Sequence, residues 1–205
     1  MELTAAEPRR KGLTQLFIDG EAAMKVDTEV FLQSGLQPGA QLTDQELWEL
    51  IQASDARRAK EKALYLLEHR DHSKQELTEK IARTAASREA AQAAADRMEE
   101  LGLIDDRRFA QDYARELFAR KGFGPRRVAQ ELRRKGIAQE LVDELLEAYH
   151  DPEQNSRNIR RVLEKKYPAW REDEGARRRA FAALQRLGYS YGQIREALDV
   201  EEDWD

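Results

Sequence analysis

Arg126, Arg127, Arg133 and Arg134 fall within one short stretch of the chain. At about 100° per residue a helix gathers them on one side, opposite Val128, Ala129 and Leu132. Arg115, Arg120 and Lys121 flank that helix from the element before it, and Lys135 closes it. Guanidinium groups carry a permanent charge and a planar fork of donors, so such a cluster suits phosphates or the carboxylates of another protein. The bland reading is a solvated helix face. Residues 115–135 hold eight basic side chains against two acidic ones, more than solubility requires, so a contact surface is the better reading. Binding there would be salt-sensitive and largely independent of base sequence. Arg160, Arg161, Arg177, Arg178 and Arg179 make a second, weaker basic group.

Other chemistry is sparse. His69 and His72 stand at i, i+3 spacing but lack a third ligand nearby, which argues against a metal site. Asp105 and Asp106 read more simply as helix caps than as metal carboxylates. Tyr113 and Phe118 have the types for stacking on bases, but their spacing fits core contact. Tyr167, Trp170, Tyr189 and Tyr191 gather near the end of the chain; most read as core, and an exposed one would suit a protein interface. There is no cysteine, which excludes disulfides, thiolate metal sites and cysteine nucleophiles. No phosphate loop, nucleophile elbow or His-Glu-x-x-His run occurs. The residues imply a protein without catalysis, metal or cofactor.

The elements that must position the arginines are helices. Of 205 residues, 40% are hydrophobic and 37% charged, a thin core relative to surface that suits stacked helical layers. No apolar run approaches the ~20 residues of a membrane span, and the first residues lack an apolar signal core, so a cytoplasmic protein is expected. The net charge of −5 is uneven: residues 107–150 carry ten basic side chains against seven acidic, whereas residues 61–106 carry seven against eleven.

A repeat organises these helices. Leu132, Gly136, Ile137 and Ala138 recur as Leu184, Gly188, Tyr189 and Ser190, and as Ile81, Ala85, Ala86 and Ser87. Val142 and Leu146 match Ala91 and Ala95 before them and Ile194 and Leu198 after them. Three tandem three-helix repeats are therefore expected, at residues 55–104, 105–150 and 151–205, the last ending in an acidic tail. Before them, residues 1–54 read as a small α+β module. It holds a hairpin over 13–26 turning at Asp19-Gly20, short helices, and a capping box at Thr43 and Glu46. The helix opened there is read as unbroken or bent near Ser54. The fold class is mainly α. Ser73 and Glu76, and Ser190 and Gln193, supply further capping boxes, and Gly124-Pro125 opens the basic helix.

Several runs resemble the RecX family, regulators of the RecA recombinase. They are IDGE at 18–21, LTDQEL at 42–47, KALYLLEHRDHSKQEL at 62–77, RMEELGLIDDRRFAQDYARE at 97–116, and RKGFGPRRVAQELRRKGI at 120–137. The resemblance runs from Leu13 onward. Ala85-Ala86 stands where the family usually has glycine and an apolar residue. The resemblance implies a bent array of three-helix repeats that docks in the groove of a RecA filament on single-stranded DNA. It also implies inhibition of recombinase, ATPase and coprotease activities, and thereby a role in DNA repair, recombination and the SOS response. The protein would act as a monomer without touching membranes. The alternative from the residues alone is a helical-repeat protein that binds single- or double-stranded DNA directly, and weakly, through its basic middle repeat. The acidic first half opposes tight unaided DNA binding.

Overall fold

The computed structural model describes residues 1–149 and 151–198; the acidic tail lies outside the described residues. Contacts divide the chain into two compact units, Met1–Ile104 and a second beginning at Asp105.

The first unit opens with a three-stranded antiparallel meander, β1 (Leu3–Arg9), β2 (Leu13–Ile18) and β3 (Glu21–Asp27). The β2–β3 hairpin turns at Asp19-Gly20 with positive φ at both residues, as a two-residue loop requires. The strand β1 is an addition to the expected hairpin. Leu-Thr-Ala-Ala-Glu-Pro-Arg shows little alternation, and its order comes from β2 on one side and the loop near Gly39–Leu42 on the other. Leu3 N–H donates to Ala40 O at 2.9 Å, and Gly39 N–H donates back to Leu3 O at 2.7 Å. As an edge strand it tolerates Pro8.

The short helix α1 (Thr28–Gln33) is capped by the Asp27 side chain, which accepts from Glu29 and Val30 N–H. The helix α2 (Asp44–His69) starts at the Thr43–Glu46 capping box and runs unbroken through Ser54. Ser54 is buried, and its Oγ accepts the Asp27 N–H at 2.8 Å. The serine that looks like a bend in the sequence is thus an acceptor for a buried strand end. One face of α2 supplies Leu50 to a core with Leu3, Leu16, Val26, Phe31 and Leu42. Further along, Ala59 and Ala63 enter a second core with α3 (Lys74–Ala82) and α4 (Arg88–Glu100). There Leu77 and Ile81 pack on Met98 and on Ala91, Ala94 and Ala95, whose small side chains bring the helices close.

The second unit holds two three-helix sets. The first comprises α5 (Asp106–Glu116), which widens into a π-helical turn over Leu117–Lys121, then α6 (Pro125–Arg134) and α7 (Gln139–Ala148). Its core contains Phe109, Leu117, Phe118, Val128, Leu132, Ile137, Val142 and Leu145. The second comprises α8 (Pro152–Lys166), a 3₁₀ turn at Pro168–Arg171, α9 (Glu174–Arg186) and α10 (Tyr191–Leu198). Ile159, Leu163, Trp170, Leu184, Tyr189 and Ile194 fill its core. Side chains cap the starts where the sequence offers them. Asp105 accepts from Arg108 N–H, and Ser190 and Gln193 exchange bonds at 3.2 and 2.8 Å. Among the described residues no helix is long and apolar enough to cross a membrane.

Candidate functional site

The helix α6 is laid down by local rules and then locked by its neighbour. Pro125 sits at its first turn, Gly124 at its N-cap has no side chain to offer, and Gly136 stops it at φ +78°. The cap comes from the turn between α9 and α10: Gly124 N–H donates to Leu187 O at 2.8 Å, and Arg126 N–H to Gly188 O at 3.2 Å. The Tyr189 hydroxyl, fully buried, donates to Gly122 O at 2.9 Å, and Asn158 Nδ2 donates to Phe118 O at 3.3 Å. Burial pushes the Tyr189 phenol up to about 12, against the opposing pull of Asn158 and Arg161. These contacts fix the π turn and the start of α6 from behind.

On the outward side the arginines fall into two rows. Arg127 and Arg134 clamp Glu131, whose carboxylate is held at 2.6 Å by the first and 3.0 Å by the second. Glu131 is 8% exposed, and its one negative charge offsets half of this row's two positive ones from within. Arg127 also lies over the Phe123 ring, 5.6 Å from its centre. The other row, Arg126 and Arg133, keeps its charge. Arg126 is exposed with no side-chain partner among the described residues, and Arg133 meets only the neutral amide of Gln139, at 3.0 Å.

The flanking cations divide similarly. Arg115 pairs with Asp112 at 2.9 Å and Arg120 with Glu116 at 3.2 Å. Both pairs are exposed, worth at most ~1 kcal/mol, and open readily to a better partner. Lys121 is exposed at the end of the π turn with no ion pair among the described residues. Lys135 is half-buried, its ammonium 5.8 Å from the Tyr113 ring centre.

Arg161 is brought to the same place. Reaching from α8, its guanidinium donates to Ala119 O at 3.4 Å and to Asn158 Oδ1 at 3.2 Å, alongside the π turn that carries Lys121. Arg160, exposed, is its neighbour on α8. On α9, Arg178 pairs with Glu174 and Arg179 with Asp173 at 3.3 Å, while Arg177 is half-buried. The sequence flagged Gly188 and Tyr189 as repeat landmarks but gave no sign that they cap the basic helix. That Glu131 divides the arginines was missed, although its i,i+4 spacing from Arg127 and i,i+3 spacing to Arg134 is the signal that could have found it.

The remaining candidates separate. His69 is exposed with its Nδ1 2.7 Å from Tyr65 O, whereas His72 is buried with its Nδ1 3.1 Å from Glu76. Desolvation lowers the His72 pKa, partly opposed by Glu76. No group of three metal-ligating side chains forms among the described residues. Phe118 is buried against Tyr149, and Tyr113 stacks on Phe109 at 5.7 Å, so both serve the core.

The family model described as RecX, second three-helix domain, matches residues 105–146, and that of the third three-helix domain matches residues 153–198. The chain is 37% identical over 158 residues to the regulatory protein RecX of Halorhodospira halophila, covering 75% of this chain and 92% of that one. It is 33% identical over 147 residues to the RecX of Chlorobium phaeobacteroides, covering 71% and 95%. Against the RecX of Caldanaerobacter subterraneus it is 26% identical over 185 residues, covering 90% and 91%. A crystal structure of a regulatory protein RecX superposes with a TM-score of 0.67 at 22% identity, covering 97% of this chain and 99% of that one. That of RecX from Lactobacillus salivarius gives 0.62 at 20% identity, covering 72% and 96%. These two likenesses carry the fold.

Proposed function

This chain belongs to the RecX family of non-enzymatic regulatory proteins, and from that premise we propose that it inhibits RecA by laying α6 against a RecA filament on single-stranded DNA. Arg126, Arg133 and Lys121 make the first electrostatic contacts, and the exposed Arg115 and Arg120 exchange their local acids for the filament's. Arg127 and Arg134, held by Glu131, shape the rim. The protein acts as a monomer in the cytoplasm and needs no metal or cofactor.

The observation that carries this reading is the row of uncompensated cations on a helix whose other side is locked in place. Fixed charge presented on a rigid element favours a large, highly charged partner, because little ordering entropy is lost on contact. A nucleoprotein groove offers both phosphates and carboxylates to meet it. The acidic first unit fits such a mixed surface better than naked DNA, whose phosphates would repel it.

The test is titration of the protein into RecA assembled on single-stranded DNA, following ATP turnover and filament length. Wild-type protein lowers both. The Arg126→Glu/Arg133→Glu variant, shown folded by circular dichroism, inhibits at least tenfold less well. Equal inhibition by a folded variant defeats the assignment of this row. Loss of DNA binding with RecA inhibition intact would instead favour direct DNA contact as a separate property.

A further inference from the structure

The last three-helix set carries a pocket that none of the residues of α6 line. Phe181 and Ala182 of α9 and Tyr191 and Leu198 of α10 form its apolar walls. Its volume is about 280 Å³, near the lower end of the ~300–1,000 Å³ of small-ligand clefts. That is room for one large side chain, not for a nucleotide or an extended cofactor.

The rim is cationic. Arg177, Arg178 and Arg195 line the pocket together with the apolar walls, and among the described residues no acidic side chain does. Arg195 lies over the exposed Tyr191 ring, 5.7 Å from its centre, and Tyr191 meets Phe181 edge-on at 5.2 Å. Arg178 is held by Glu174. Arg177 differs: its Nε is sealed from solvent and has no hydrogen-bond partner among the described residues. With no hydrogen bond at Nε, the guanidinium gains from a charge-assisted partner at its other N–H groups, as a carboxylate would supply. Tyr191, 48% exposed, would lose its remaining apolar surface to the same ligand.

We propose that this pocket docks an acidic segment of a partner protein that presents one bulky apolar side chain. The side chain enters between Phe181, Tyr191 and Leu198, and a neighbouring carboxylate meets the Arg177 guanidinium. Arg178 and Arg195 attract the remaining acids of the segment. The docking is independent of the arginine rows on α6 and is read without RecA.

The probe is a fluorescein-labelled peptide Asp-Asp-Trp-Asp-Asp, titrated into the full chain and followed by anisotropy. Saturable binding is expected, falling about tenfold for Arg177→Gln and for Tyr191→Ala, and likewise when alanine replaces the peptide's tryptophan. Arg186→Gln, on α9 but not in the pocket, leaves affinity unchanged. Thermal melts of the variants separate lost binding from lost folding, and the exposed Tyr191 gives a variant that folds. Absence of saturable binding overturns the proposal, as does binding indifferent to Arg177 and the peptide's tryptophan. Binding that appears only after Trp204→Ala would assign the pocket to the chain's own segment 199–205, and also overturns it.

Discussion

The backbones of Gly124 and Gly188 lie in direct contact, joining the two three-helix sets of the second unit without any side chain between them. A Cβ on Gly124 would stand 2.6 Å from the carbonyl of Gly188, and one on Gly188 would stand 2.3 Å from Arg127 N. Gly188 also holds φ +94°, a region that other L-residues rarely enter. The close approach lets the α9–α10 turn cap α6. Gly188→Ala therefore meets both a clash and backbone strain, at a cost of about 2 kcal/mol or more and a fall in Tm of at least about 4 °C. Gly192, in α10 with nothing near its would-be Cβ, is the control. Gly192→Ala should hold or raise Tm, because alanine is the better helix former by ~1 kcal/mol. Equal melting of the two variants would contradict the contact.

Tyr189 ties the same junction through its hydroxyl on Gly122 O. Its phenol is raised to about 12 by burial, above the ~10 of an unfolded tyrosine. Below pH 10 both states are neutral and the stabilisation is fully present. Between pH 10 and 12 the unfolded state releases its proton while the folded state keeps it, so stability falls with rising pH, by on the order of 1–3 kcal/mol. Tyr189→Phe should cost about 1 kcal/mol at neutral pH and should flatten this alkaline loss. Chemical denaturation at pH 8 and pH 11 measures both. A variant as pH-sensitive as wild type would show that other groups cause the alkaline loss.

Local signals were legible from the residues, and distant ones were not. The capping boxes at Thr43 and Ser190 and the Asp19-Gly20 turn each lie within four residues, so their geometry follows from residue type and spacing. The angular gathering of Arg126, Arg127, Arg133 and Arg134 was likewise readable as helix geometry. Glu131 stands four residues after Arg127 and three before Arg134, the spacing of helical ion pairs, so that clamp was a local signal too; only its burial depends on where α6 packs. The β1 strand was hidden because its alanines, glutamate and proline have weak strand preference and its order comes from pairing. The Gly124–Gly188 contact was invisible for a related reason. Each glycine already had a sufficient local explanation, one as helix start and one as helix stop.

Ser54 offers a test of the first unit. Its Oγ accepts the buried Asp27 N–H, at 2.8 Å, at the junction of β3 and α1. Ser54→Ala keeps the helix former and removes the acceptor, leaving a buried donor unsatisfied at a cost of about 1–3 kcal/mol. Asp27 itself caps α1 and meets Arg57 Nε at 3.1 Å, so loosening should spread to that helix. Hydrogen exchange should show faster exchange at Asp27, Glu29 and Val30, with α9 and α10 unaffected. Unchanged protection at those three amides would mean the bond contributes little.

Glu131 gives the sharpest test of the two arginine rows, because its removal should change folding and binding in opposite directions. Its carboxylate sits at 8% exposure between Arg127 and Arg134 and cancels part of their charge. Glu131→Gln keeps the shape and hydrogen-bonding capacity but releases one unit of positive charge onto the outward face of α6. Stability should fall by about 1 kcal/mol as the charge-assisted bonds weaken. Inhibition of the RecA filament should strengthen by about two- to fivefold at low salt, with the gain fading as salt rises. Reversal at Arg126 and Arg133 should weaken it with the same salt signature. If Glu131→Gln weakens inhibition while the protein stays folded, the carboxylate's task is to aim Arg127 and Arg134 at the partner. Those two arginines, and not Arg126 and Arg133, would then be the contact row.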